Sequence, residues 1–249
     1  SNGGYRELEH KEQDKYSVRC APHFTGVLRD SLDWIDGWLD VEINSTNDNP
    51  LFDPATGRVH SGGNFAGGHV ALAMDALKTA VASVGDLMDR QLELVVDEKF
   101  NNGLTPNLIP HLPPDHPEAG VNHGFKAMQL ACSSLCAEAL SKCMPLTVFS
   151  RSTECHNQDK VSMGATAARQ TRDVVALVEK VAAIHLIALC QAADLRGPDK
   201  LGATRTVYDR VRAHVEPLEV DRPMADDIMR VVEMMHDGTL VAGLEPGPS

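Results

Sequence analysis

The amino-acid sequence predicts an all-α fold of long antiparallel helices forming a central bundle, and three observations predict it. Apolar residues recur at steps of three and four over several long stretches. No convincing alternating strand lies between them, and prolines gather at the boundaries of the periodic stretches. At 249 residues and 43% hydrophobic, the chain can bury a sizeable core, as one large domain or part of a larger protein.

Taken in order, Leu28, Leu32, Ile35, Leu39 and Ile43 predict an amphipathic helix from His23 to about Ile43, with Trp34 and Trp38 near its edge. Pro22 suits its first turn, because the N–H that proline lacks is unpaired there in any case. The Asn-, Asp-, Gly- and Pro-rich segment Asn44 to Gly63 reads as an ordered loop. Val70, Met74, Leu77, Val81, Val84, Met88, Leu92 and Val95 form a heptad-like seam, predicting a long bundle helix from Gly68 to Phe100 that ends near Gly103. Five prolines make Leu104 to Gly120 a connection. A further helix follows from about Asn122 to Cys143, stopped by Pro145. The longest pattern runs from about Asp159 to Leu195, carries Val174, Val178, Val181, His185 and Ala188, and ends at Gly197-Pro198. Two shorter helices, Arg205 to His214 and Pro223 to Asp237, precede an unpatterned tail, Gly238 to Ser249.

The formal charge of −12 argues against nucleic acid or an anionic membrane as partner. No run of about 18 apolar residues is available to span a bilayer. Six cysteines without framework spacing suit a reducing cytoplasm. The start, Ser1-Asn2-Gly3-Gly4 without an initiating Met, reads as a cut end or as added residues.

Several residues have plain structural readings. His185 on an apolar helical face reads as a core histidine. Cys132, Cys136 and Cys143, with Cys155 and His156, carry zinc-compatible groups, but Cys-x3-Cys within an apolar stripe reads as small core residues, and no metal is expected. The acidic run Asp86 to Glu98 reads as a solvated helix face with pairs such as Asp86 with Arg90. No glycine-rich phosphate cradle and no nucleophile elbow is present.

Four segments carry more than structure: Gln13-Asp14-Lys15-Tyr16-Ser17-Val18-Arg19, Glu42-Ile43-Asn44-Ser45-Thr46-Asn47-Asp48-Asn49-Pro50, Ser61-Gly62-Gly63-Asn64-Phe65, and His156-Asn157-Gln158-Asp159-Lys160-Val161-Ser162-Met163-Gly164. The first sets an amide, a phenol and a guanidinium close together. Arg19 supplies a planar fork for a carboxylate, and Tyr16 a proton carrier beside positive charge. Asn49 precedes a proline, so its backbone is extended and its amide aimed; an Asx turn is the plainer reading. Asn157-Gln158-Asp159 ahead of a long helix reads first as capping, which leaves Gln158 unexplained.

In this order the four segments resemble the carboxy-terminal half of the aromatic amino acid ammonia-lyases and 2,3-aminomutases, the family of histidine, phenylalanine and tyrosine lyases that use a methylidene-imidazolone (MIO) electrophile. The resemblance implies catalytic roles for Tyr16, Gln13 and Gln158 and substrate-binding roles for Arg19, Asn49, Phe65 and Asn157. Arg19 is similar to the carboxylate-binding arginine, Asn49 to the asparagine assisting it, Tyr16 to the tyrosine beside the electrophile, Gln13 to its supporting glutamine and Phe65 to the aromatic residue near the MIO ring. Gln158 stands where histidine lyases tend to carry a carboxylate, which favours phenylalanine or tyrosine as substrate over histidine. The organisation implied is a segment leading into the active site (1–21), a long-helix bundle with active-site loops (22–196) and a carboxy-terminal part of short helices and tail (197–249).

The Ala-Ser-Gly from which MIO forms is absent. The resemblance therefore implies a cytoplasmic, tetrameric enzyme acting on a small aromatic amino acid, with MIO supplied by an amino-terminal half or partner chain and no activity without it. Two alternatives stand beside it: a 2,3-aminomutase, and a non-catalytic helical assembly module.

Overall fold

The computed structural model describes residues 12–244; Ser1-Asn2-Gly3-Gly4 and the end of the tail lie outside the described residues. The chain is all-α in character: α1 (Tyr16–Arg19), α2 (Ala21–Asn44), α3 (Gly68–Val96), α4 (Lys126–Ser141), α5 (Gly164–Arg196), α6 (Arg205–Arg212) and α7 (Ala225–His236). One departure is a small antiparallel hairpin inside the segment read as loop, β1 (Leu51–Asp53) with β2 (Arg58–His60), pairing Leu51 with His60 and Asp53 with Arg58. Strands of three residues are too short to alternate, so periodicity could not reveal them.

The chain forms two compact units. The first takes residues up to Ala21, then Gly85–Ala137 and Leu177 onward; the second takes Pro22–Val84 and Glu138–Ala176. In the first, Leu92, Val96, Phe125, Met128, Cys132 and Cys136 pack with the Val181–Ile187 face of α5 and with Val211, Val231 and Met234. Gln191, buried on α5, clamps two loops to this core: Nε2 donates to the Leu108 and Leu218 carbonyls at 3.3 and 3.0 Å, and Oε1 accepts from Leu218 N at 2.9 Å. Helix α4 starts later than its apolar pattern suggests. The Asp221 carboxylate accepts from His123 N and Gly124 N, and Gly124 has φ +56°, with any Cβ only 2.5 Å from the Asn107 carbonyl oxygen.

The inward row of α3 also differs from the predicted seam. Buried are Ala71, Asp75, Lys78, Ala82, Gly85, Asp89, Leu92 and Val96, whereas Val70, Met74, Leu77, Val81, Val84, Met88 and Val95 are only half-buried. Short residues win the inward row because α5 passes close. In the first unit, a Cβ at Gly85 would lie 2.9 Å from Val178 Cγ2. In the second, Ala71 faces Gly164, Thr171 Oγ1 donates to the Met74 carbonyl at 2.8 Å, and α3 and α5 run in the same direction. The turn after α4 runs back against α3, as antiparallel neighbours do: the Asp75 carboxylate accepts from Leu146 N and Thr147 N, and Lys78 donates to the Met144 carbonyl.

Asp75 and Lys78 form a buried ion pair at 2.8 Å, and Lys78 Nζ also donates to the Met144 carbonyl (2.8 Å) and Gln170 Oε1 (2.9 Å), so all three of its donors are used. Asp89 departs from the solvated acidic face. It is buried, its Oδ1 has no hydrogen-bond partner, and burial holds its carboxyl above the usual range; Asp86 does pair with Arg90, at 3.0 Å.

Removing one partner of a buried pair strands the other charge. Lys78→Met is expected to lower the unfolding free energy by about 3–5 kcal/mol, and adding Asp75→Asn to recover much of that loss, as read by urea denaturation. Burial pushes the Asp75 carboxyl up, but hydrogen bonds from Lys78, Leu146 and Thr147 outweigh it, and the group titrates below its ordinary 3.8. Its contribution to stability is present above that value and lost as pH falls through the lower folded value.

Candidate functional site

In the first unit, α1 is one helical turn with no buried residue. Lys15 precedes it, and Val18 N, Arg19 N and Cys20 N bond back to the Lys15 and Tyr16 carbonyls. The Arg19 guanidinium lies over the Tyr16 ring, 4.5 Å from its centroid, while Tyr16 remains 68% exposed. Gln13, Tyr16 and Arg19 line one open cleft of about 1020 Å3, with Lys15, Phe100, Asn101, Asn102 and Arg196 among its other walls. The geometry therefore brings together the amide, phenol and guanidinium singled out from the sequence. The Asn101–Asn102 turn was not singled out, because turn residues after a helix carry no periodic signal; Asn102 is left-handed at φ +56°.

The second unit holds Asn49, Phe65, Asn157 and Gln158. The Asn49–Pro50 peptide is cis. Asn49 Oδ1 accepts from Gly62 N at 3.0 Å, which joins the loop before β1 to the loop after β2. Asn64 donates to the Thr46 carbonyl at 3.4 Å, and Phe65, within a single 3-10 turn (Asn64–Ala66), is 55% exposed. Near Gly67, at φ +61°, the Phe65 carbonyl, the Ser162 hydroxyl and the Glu42 carboxylate converge. That junction gathers three of the four segments.

The capping reading of Asn157-Gln158-Asp159 is corrected. Helix α5 starts at Gly164, after Met163 at φ +61°. Thr153 and Gln158 form an isolated antiparallel bridge, and Thr153 Oγ1 donates to Gln158 Oε1 at 3.1 Å. Asn157 Nδ2 is spent on Glu154 at 3.0 Å, and the tip of the turn, Glu154, Cys155 and His156, is left-handed throughout.

Neither cysteine of the α4 stripe offers a thiolate: burial, then the nearby Asp89 charge, pushes Cys132 up to about 12 and Cys136 to about 11. No group of three or more metal-ligating side chains gathers among the described residues. Within the first unit's cleft the Arg19 guanidinium can grip a carboxylate beside the Tyr16 phenol.

The chain belongs to the aromatic amino acid lyase family, whose model matches residues 4–213. It is 39% identical over 236 residues to the histidine ammonia-lyase of Symbiobacterium thermophilum, covering 94% of this chain and 45% of that protein. It is 41% identical over 222 residues to the tyrosine ammonia-lyase of Cereibacter sphaeroides, covering 87% of this chain and 41% of that one. The Pantoea agglomerans phenylalanine aminomutase structure superposes with a TM-score of 0.84 at 35% identity, over 94% of this chain and 45% of the other. The chain thus spans less than half the length of these relatives. Most of the relatives it matches are histidine ammonia-lyases, so the preference for phenylalanine or tyrosine over histidine, read from Gln158, is not supported. No helix among the described residues is long and apolar enough to cross a membrane.

His185 is partly buried, and burial pushes its pKa down to about 4. NMR titration should find it neutral at pH 6. Because the folded value lies below the ordinary 6.5, its contribution to stability should be complete above 6.5 and decline as pH falls toward 4.

Proposed function

We propose that this chain is the carboxy-terminal half of an MIO-dependent ammonia-lyase that eliminates ammonia from an aromatic L-amino acid, histidine first, to give an arylacrylate. The observation that carries the reading is the Arg19 guanidinium stacked on the exposed Tyr16 ring in a cleft shared with Gln13. In the first unit Arg19 grips the substrate carboxylate in two places, and Tyr16 handles the proton at the reacting centre, with Gln13 holding the phenol in place. For the second unit, the family resemblance implies substrate-binding roles for Asn49, Phe65 and Asn157 and a catalytic role for Gln158. MIO, were it bound, would supply an electrophile that makes the substrate amine a better leaving group, leaving this chain's residues to hold the carboxylate at Arg19 and to carry a proton at the Tyr16 phenol oxygen.

The residues present hold, orient and protonate; the MIO-bearing half comes from an amino-terminal segment or partner chain, within a tetramer in the cytoplasm. The organisation that goes with this reading is a segment leading into the active site (1–21), a long-helix bundle with active-site loops (22–196) and a carboxy-terminal part of short helices and tail (197–249). Neither nucleic acid nor membrane is a partner.

A second reading takes tyrosine as substrate, as the similarity to a tyrosine ammonia-lyase allows, with the neutral Gln158 amide able to donate to a phenol oxygen. An aminomutase that returns the amine to the β-carbon is a further alternative, and a β-amino acid among the products would identify it.

The purified chain alone is expected to release no urocanate, cinnamate or coumarate, and co-expression with the amino-terminal half that its own source encodes should restore activity. Arylacrylate from the chain alone would refute this. In the complemented enzyme, Arg19→Ala should lower kcat/KM by about 2–5 kcal/mol in transition-state terms, mostly through KM; unchanged kinetics would remove the carboxylate role. Gln158→Glu should shift kcat/KM toward histidine relative to tyrosine by about tenfold or more, and a shift the other way would reverse the assigned part of Gln158.

A further inference from the structure

We infer that Gln91, on α3, is a positioning residue for the proposed site: its side-chain amide fixes the helical turn that presents Tyr16 and Arg19. The inference rests on the functional reading above and on geometry within the first unit. A single turn of helix is not stable by itself, and α1 buries none of its residues, so apolar packing does not set its rotation. The internal bonds from Val18 N, Arg19 N and Cys20 N keep it a turn without attaching it to anything. Gln91 Nε2 donates to the Ser17 carbonyl at 2.7 Å. That carbonyl belongs to the residue between the two side chains that matter, so holding it sets where the phenol and the guanidinium point.

Gln91 suits the task. It is half-buried one position before Leu92 of the core, on a helix anchored along its length. Lys15 Nζ over the Phe100 ring, 5.3 Å from its centroid, adds a looser contact ahead of the turn. A cation on a flexible stem above an exposed ring restrains direction less than a short hydrogen bond from a rigid helix. Misplacing a gripping or proton-carrying group by about 1 Å is enough to cost about a hundredfold in rate, so a modest tie has a large lever.

Hydrogen–deuterium exchange on the chain as it stands tests the tie without activity. Gln91→Glu keeps size and shape but replaces the donor with a carboxylate that repels the Ser17 carbonyl. Exchange across residues 16–20 should speed by about tenfold, with amides of the α5 core unchanged; Gln91→Lys, which retains a donor, should restore much of the protection. In the complemented enzyme, Gln91→Glu should raise KM more than it lowers kcat, as Arg19 loses its register on the carboxylate. Unchanged exchange at 16–20 in Gln91→Glu overturns the tie. Faster exchange with wild-type kinetics overturns the positioning role. Wild-type kinetics in Arg19→Ala overturn the underlying reading instead, which separates the two failures.

Discussion

The structure depends on the close passage of α5 along α3. Two helices approach this nearly only where the facing side chains are short, and α3 meets the demand with Ala71, Ala82 and Gly85 in its inward row. The same row carries Asp75 and Lys78, whose charges are tolerable there because every Lys78 donor finds an oxygen and the carboxylate accepts from two backbone N–H groups besides. A buried pair of this kind stabilises little compared with a well-packed apolar pair. Its value is directional: it fixes the turn after α4 in one register, which a greasy contact would not do.

That arrangement explains which parts of the fold were legible in the amino-acid pattern. The existence and order of the helices followed from apolar periodicity, because every helix must bury some stripe. The identity of the buried stripe did not follow for α3. Periodicity selects the large apolar side chains, whereas the inward row was selected for smallness and for hydrogen bonding, and so lies one position along from the Val70–Val95 seam. On α2, likewise, the predicted face is real in spacing, yet Ile35 alone of its residues is buried. Spacing describes a helix's shape and not its burial.

The candidate site was legible for a different reason. Its residues were found as chemistry, from side-chain types and order, and the cleft in the first unit does gather Gln13, Tyr16 and Arg19. What the pattern concealed was the machinery that holds them: a glutamine on α3 reaching the Ser17 carbonyl, Asn49 accepting from Gly62, and Thr153 bridging Gln158. These contacts join residues far apart in the chain through backbone groups, and a backbone carbonyl has no letter in a sequence. Capping was misread at Asn157-Gln158-Asp159 for the same reason. The polar residues there satisfy a turn of their own, and α5 begins only at Gly164.

The tension between Gln158 and the relatives turns on what each observable measures. Identity over more than two hundred residues reports the scaffold, which histidine, tyrosine and aminomutase members share. Discrimination between an imidazole and a phenol ring needs only a few kcal/mol, and a single polar contact to the ring can supply that by leaving a partner unpaired when the wrong ring binds. Gln158 already accepts from Thr153 through Oε1. An amide N–H at such a place would meet a phenol oxygen or the unprotonated nitrogen of a neutral imidazole, whereas a carboxylate would accept from a phenol O–H or an imidazole N–H and add a charge that favours a protonated imidazole.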